Sequence, residues 1–458
     1  MMGVGVLLYV GLSIGVGFWA ARRVKNSQDF LVAGRRLPLL WSLSLLFSTW
    51  FGSETILGAS ETVAKGGLLA VIEDPFGSAL CLFLVGVWLA RPFYRLPIRT
   101  FGDFYALRFG RWAERVATPL MIYSYFGWIA AQLVALGQVI GHFTGWPAEI
   151  CLGLATGLIL SYTIWGGMWS VAAVDLLQNV FIVSGLLALV FFLPAGWTAR
   201  LETLPTGFLD LIPDGRRYTW WEYLAAWMVI GLGSLPQQDL FQRVVSARSE
   251  STAVQAAIGA SLLYLTIGLL PLVGGLFVRL YHPEWLNGST SPILRLVETY
   301  LPPGVQLLFW GALISAIMSS ASGGMLAPAS LLSENVLARW HTLLPLWKAR
   351  LSVLLVAAAC FLLAWYEQNI YHLVGESSVF SLVTLFLPMV IGLHAPRWCS
   401  SSAAIASMLL GLGLYYAAKG LETRVPALWY GLLGAVLGYG IGLLAEKTFL
   451  WSRRVVAR

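Results

Sequence analysis

Glu54 is a carboxylate in the middle of an apolar stretch, and its neighbours are residue types that bind ions or polar solutes. The stretch Ser48-Thr-Trp-Phe-Gly-Ser-Glu-Thr-Ile-Leu-Gly-Ala-Ser60 lies in a hydrophobic segment long enough to span a bilayer. An unpaired charge at that depth costs at least ~2.5–3.5 kcal/mol. Gly52 and Gly58 each weaken a helix by roughly 1 kcal/mol relative to alanine. Ser48, Thr49, Ser53, Thr55 and Ser60 offer hydroxyl oxygens, and Trp50 and Phe51 offer ring faces. This composition suits a helix that opens its backbone around an ion or solute, not one that faces lipid.

Other polar residues fall at similar depth. Trp128 and Gln132 are spaced i, i+4 and share a helical face, so Gln132 faces protein or solute. Glu73-Asp74-Pro75 brings two carboxylates into an apolar segment, and Asp175 is either a hydrogen-bond anchor or part of an ion path. Gly231-Leu-Gly-Ser-Leu-Pro236-Gln-Gln-Asp239 interrupts a further segment, and Pro236 removes a backbone donor there. In Ala316-Ile-Met-Ser-Ser320-Ala-Ser-Gly-Gly324, paired serine hydroxyls are either packing contacts or ligands for a hard cation. Glu376-Ser-Ser378 is again acidic and hydroxyl-rich.

The elements that carry these residues follow from composition. Of 458 residues, 58% are hydrophobic and 11% charged, which predicts an all-α polytopic membrane protein in one transmembrane domain. About thirteen spans are expected, at 2–20, 40–63, 68–90, 117–142, 148–165, 171–194, 220–237, 253–279, 304–331, 351–366, 371–394, 402–418 and 427–445. With the N-terminus outside, 21 of the 29 Lys and Arg residues fall on the cytoplasmic side. The basic tail Arg453, Arg454 and Arg458 is then cytoplasmic, the expected location being the inner (plasma) membrane. That bias also accounts for the net charge of +7 without nucleic acid, and for the basic loop 91–115, which otherwise suggests anionic lipid.

No HExxH motif and no ligand-spaced cluster of His142, His282, His341, His372 and His394 points to an enzyme. The four cysteines form no CxxC pair and read as small core residues. No obligate protein partner is evident. Spans 2 and 7 are five spans apart, run in opposite directions and are both interrupted. Paired broken helices at corresponding positions of two inverted halves point to a secondary-transporter binding site. The expected halves are 40–194 and 220–394, with an extra helix at 2–20 and two more within 402–445.

Several motifs are similar to those of the sodium:solute symporter family, whose members carry glucose, proline, pantothenate, sialic acid and choline. They are Asp29-Phe-Leu-Val-Ala-Gly-Arg35, Ser161-Tyr-Thr-Ile-Trp-Gly-Gly167 with Asp175, Gln238-Asp-Leu-Phe-Gln-Arg243 with Ser246-Ala-Arg248, and Ala316-Ile-Met-Ser-Ser320. The resemblance implies a LeuT-type five-plus-five inverted repeat. It also implies a sodium site made of the carbonyls of Ser48, Phe51 and Ala316 and the hydroxyls of Ser319 and Ser320. Asp175 matches an aspartate on the sodium exit route or at a second sodium site. Trp50 and Trp128 match tryptophans of the choline members, where ring faces suit a quaternary ammonium. Gln237 stands where a third aromatic is expected, so that cage is incomplete.

The expected function is sodium-coupled symport of a small polar solute by alternating access, with amine-bearing and zwitterionic solutes as the candidates. Trp50, Glu54, Asp74, Trp128, Gln132 and Gln237 are the expected solute-site residues. Proton coupling through Glu54 or Asp74, and a sensor without net transport, are the alternatives. Glu54 itself reads equally as a solute counter-ion, a proton site or a structural carboxylate.

Overall fold

The computed structural model describes residues 2–215, 218–288, 291–339, 343–367, 377–421 and 425–456, with side chains described only for residues 3–446 in the two terminal helices. Glu376, the start of the predicted 371–394 span, His341, His372 and the side chains of the basic tail lie outside them. Among the described residues the regular structure is helical. The longer and site-forming helices are α1 (Met2–Ala21), α2 (Leu39–Phe47), α3 (Ala59–Gly66), α4 (Leu68–Arg95), α5 (Arg111–Thr144), α6 (Ala148–Phe191) and α7 (Trp220–Gly233). They continue as α8 (Gln238–Ser246), α9 (Glu250–Tyr281), α10 (Pro303–Leu331), α11 (Pro345–Tyr366), α12 (Ser377–His394), α13 (Ser401–Gly420) and α14 (Ala427–Glu446).

Ten described helices are long and apolar enough to cross a membrane. The sequence reading counts about thirteen spans, and the difference has two physical sources. First, α6 carries two predicted spans in one run of 44 residues. A straight helix of that length would extend ~66 Å, about twice the hydrocarbon core. It turns instead at Gly167, whose φ of 48° and ψ of −135° are not helical. Residues on both sides of this turn reach one place on α1. Tyr162 packs against Gly17, and the Ser170 hydroxyl donates to the Gly17 carbonyl. A side chain at Gly167 would also place a Cβ 2.3 Å from the Phe30 carbonyl oxygen. Gly167→Ala is therefore expected to destabilise the protein by about 2 kcal/mol or more, read as a lower unfolding temperature in detergent.

Second, two predicted spans are interrupted. The 40–63 span is α2, a non-helical link, a wide helical turn at Glu54–Gly58, and α3. The sequence reading ended the next broken span at 237. The structure corrects this: after the link Ser234–Gln237 the chain re-enters a helix, α8, in which every residue is buried. Arg243, taken from the sequence as a cytoplasmic-loop charge, is only 1% exposed. A nine-residue helix with five polar side chains fell below any apolar-run threshold, although its surroundings are protein on every side.

Candidate functional site

Hydroxyl side chains end α2. Ser48 Oγ donates to the Ser44 carbonyl at 2.8 Å, and Thr49 Oγ1 donates to the Leu46 carbonyl at 2.7 Å. Local bonds of this kind offer the backbone an alternative to continuing the helix. Gly52 N–H turns back to the Trp50 carbonyl at 2.8 Å. The carbonyls of Ser48, Thr49 and Phe51 accept no hydrogen bond among the described residues. Free backbone acceptors at this depth are tolerated where they line a site. The chain restarts at Ser53, whose N–H is taken by Gln132 Oε1 at 3.3 Å and whose hydroxyl donates to the same oxygen at 3.1 Å.

Glu54 sits at that restart and is held from α5. Trp128 Nε1 donates to Glu54 Oε1 at 2.9 Å, and Gln132 Nε2 donates to Oε2 at 2.7 Å. The i, i+4 spacing on α5 thus serves one carboxylate, with one donor for each oxygen. The Trp128 ring packs on Gly324 of α10, where a Cβ would come within 3.0 Å of it. Gly52 lies at the centre of the polar cluster. A Cβ there would stand 2.6 Å from Glu54 Oε2, 2.9 Å from Ser320 Oγ and 3.1 Å from Gln132 Oε1. Gly52→Ala should therefore abolish transport activity while expression persists, a combination that uptake assays alongside yield measurements would check.

The paired serines of α10 face this break. Ser319 Oγ donates to Asp175 Oδ1 at 2.6 Å, and Ser48 Oγ donates to Asp175 Oδ2 at 2.9 Å. Asp175 on α6 thereby clamps the end of α2 to α10. Ser320 Oγ is fully buried and has no hydrogen-bond partner. A buried orphan hydroxyl beside free carbonyls is the donor set expected of a hard-cation site. Ala316, the fifth expected ligand, lies one turn before them on α10 and is buried.

Asp74 breaks α4 with φ −145° and ψ 123°. Its Oδ1 accepts from Ser78 Oγ at 2.7 Å and from Tyr264 Oη at 2.8 Å, while Oδ2 has no partner. Tyr264 Oη is also 3.0 Å from Thr55 Oγ1, which joins Asp74 to the residue after Glu54. The structure therefore gathers Ser48, Glu54, Trp128, Gln132, Asp175, Ser319 and Ser320 around one break and links Asp74 through Tyr264. Trp50 is buried within the link, 7% exposed. Gln237 is less closely tied. It caps the start of α8, and its Nε2 lies 3.4 Å from Ser381 Oγ on α12.

Sequence reasoning missed Tyr264 and a pair of buried charged residues on α8. Tyr125 Oη donates to Asp239 Oδ1 at 2.7 Å, and Asp239 Oδ2 has no partner. Arg243 lies one turn on, its Nη2 1.9 Å from where Gly323 would carry a Cβ, and both its terminal nitrogens lack hydrogen-bond partners. It is a buried cation one helical turn from the Asp239 carboxylate. Removing one member of a buried charged set costs about 3–5 kcal/mol. Arg243→Gln alone should thus sharply lower folded yield, and Asp239→Asn added to it should recover part of that loss. The i, i+4 Asp-Arg spacing was the available signal, hidden because the segment read as a loop.

With this geometry established, comparison with known proteins is decisive on one point. A sequence model described as "Sodium:solute symporter family" matches residues 30–411. The chain belongs to the sodium:solute symporter family. It is a transporter and not an enzyme, and the family supports sodium-coupled symport across a membrane. The chain is 26% identical to a high-affinity choline transporter 1 of Drosophila melanogaster over 90% of its length and 70% of that protein. It is 27% identical to the human high affinity choline transporter 1, covering 90% of this chain and 75% of that one. It is 25% identical to the human sodium/iodide cotransporter, covering 88% and 67%. Its fold is similar to that of a Na+-coupled sialic acid symporter in a substrate-bound outward-open state, with a TM-score of 0.83, 19% identity and 98% of each chain covered. A more distant likeness is to a nucleobase-cation-symport-1 family transporter, with a TM-score of 0.56, 12% identity and 91% and 94% covered.

Proposed function

We propose that this symporter takes up a small amine-bearing solute together with sodium by alternating access. The observation that carries the reading is the Glu54 carboxylate, held between Trp128 and Gln132 at a helix break, beside the orphan hydroxyl of Ser320. Two N–H donors, one on each oxygen, fix the orientation of the carboxylate. An anion flanked by an indole at membrane depth suits a solute ammonium group. The resemblance to choline transporters supports the same solute class. Sodium would bind the free carbonyls of Ser48 and Phe51, the Ala316 carbonyl and the hydroxyls of Ser319 and Ser320, with Asp175 beside them.

The wider frame is part of the proposal. We count thirteen crossings, with α6 as two and each broken span as one. Residues 40–194 and 220–394 form two inverted halves, flanked by one helix before and two after. The N-terminus is outside and the C-terminus cytoplasmic. Pairing of unwound helices in two inverted halves gives the site access to each side in turn as one half rocks against the other.

The test is uptake into proteoliposomes of labelled quaternary and primary amines, with an inward sodium gradient or with potassium in its place. Accumulation above equilibrium only with sodium is expected. Accumulation driven by a proton gradient in sodium-free buffer would transfer the coupling to protons. Saturable binding with no accumulation of any solute would identify a sensor.

A further inference from the structure

A separate cavity lies at the end of α1. It has a volume of about 500 Å³ and is lined by Phe18, Trp19, Arg22, Trp165 and Arg350, with Gly15 and Ala21 completing the wall. Three chain segments meet there at the same end of their spans. Ala21 and Arg22 close α1, Trp165 precedes the Gly167 turn of α6, and Arg350 lies in the first turns of α11. Gly166 holds two of them together, since a Cβ on it would stand 3.1 Å from the Ala21 methyl.

The two arginines are the charged groups of this cavity. Neither has a carboxylate partner among the described residues. Arg350 Nε is buried without a hydrogen-bond acceptor, and its guanidinium lies over the Trp165 ring at 4.9 Å and the Trp347 ring at 5.2 Å. By contrast, Arg91, Arg95 and Arg99 are paired: Arg91 lies 3.6 Å from Glu250, Arg95 binds Glu250 through two bonds of 2.9 Å, and Arg99 reaches Glu334 at 3.2 Å. Two guanidinium groups without a counter-charge among the described residues, one with an unfilled donor, call for an anion with several acceptor oxygens.

The surroundings say where that anion comes from. Phe18, Trp19 and Trp165 are 44%, 50% and 44% exposed, and further along α1 Leu7 and Leu8 are 72% and 71% exposed. An apolar helix face of this kind lies against acyl chains, while tryptophan and arginine at its end mark head-group depth. A Cβ on Gly15 would meet nothing within 4 Å, so the cavity continues toward the lipid-facing side of α1. We propose that this cavity binds an anionic phospholipid, its phosphate between Arg22 and Arg350 and its chains along the outer face of α1. The assignment is independent of which solute the protein carries.

Native mass spectrometry of the purified full chain tests it, with phosphatidylglycerol or phosphatidylcholine added in mild detergent. One phosphatidylglycerol should be retained per chain, at least about tenfold more tightly than phosphatidylcholine. Arg22→Gln with Arg350→Gln should erase that preference, and Arg22→Gln alone, a change at an exposed position, should weaken it severalfold if the double variant folds poorly. Arg111→Gln with Arg397→Gln, two arginines outside the cavity, should leave it intact. Equal retention of the two lipids by the unmodified protein, or unchanged preference in the Arg22 variants, overturns the proposal. Displacement of the bound lipid by millimolar inorganic phosphate would also overturn it, since the site would then serve a free anion.

Discussion

Replacing Ser319 and Ser320 together by alanine is expected to raise the sodium concentration needed for half-maximal uptake by about a hundredfold or more. The reasoning starts from Ser320, whose buried hydroxyl has nothing else to bind. Removing it takes an oxygen from the ion and from nothing else. Ser319 differs, because its hydroxyl already donates to Asp175. A hydroxyl that donates to a carboxylate keeps its lone pairs for a cation, so Ser319 serves both. Loss of each contact to a charged group is worth about 1.5–3 kcal/mol, and 1.4 kcal/mol is tenfold. Ser320→Ala should lose sodium affinity with little change in unfolding temperature in sodium-free buffer. Ser319→Ala should lose both, because Asp175 is left with Ser48 alone. Sodium-dependent thermal stabilisation measures the two separately. Sodium dependence unchanged in the double variant would remove these hydroxyls from the ion site.

Glu54→Gln is expected to raise KM for an amine solute by about thirtyfold, corresponding to roughly 2 kcal/mol for a lost buried charge partner. The substitution is nearly isosteric, and the Trp128 donor can still be received by the amide oxygen. The Gln132 donor would then face an amide nitrogen, so some weakening of the α5 contact is included. Sodium-induced stabilisation should survive within about threefold, since the paired serines and free carbonyls are untouched. That split separates a solute counter-ion from a structural carboxylate, whose loss would depress sodium response and folded yield together. It also separates the proton reading, in which Glu54→Gln would abolish proton-driven uptake in sodium-free vesicles. An unchanged KM for every amine tested would end the counter-ion assignment.

Much of this site was legible in the chain because membrane depth makes polar residues expensive. A carboxylate such as Glu54, an amide such as Gln132 or a serine pair such as Ser319 and Ser320 stands out against apolar surroundings, and glycine and proline mark where a helix opens. Helical periodicity alone put Trp128 and Gln132 on one face, and both do reach Glu54. The Gly166-Gly167 turn was likewise readable from residue type. Where the segment itself is polar, the same logic fails. α8 looked like a loop, and its Arg243 like an orientation signal, because burial there is supplied by neighbouring helices and not by the segment's own composition.

The amino-acid sequence by itself determined that the chain is an all-helical membrane protein, where its backbone breaks, and which polar residues lie at depth. These follow from local quantities, namely run length, residue type and spacing. Only the tertiary structure decided who meets whom. Asp175 is bound by Ser48 and Ser319, which are 127 and 144 residues away, and Glu54 is shared by Trp128 and Gln132 across 74 and 78 residues. Nothing local encodes those distances, because a hydrogen bond is specified by the packing of whole helices. The same packing left the Ser320 hydroxyl without a partner among the described residues, and that is the feature on which the proposed ion site rests.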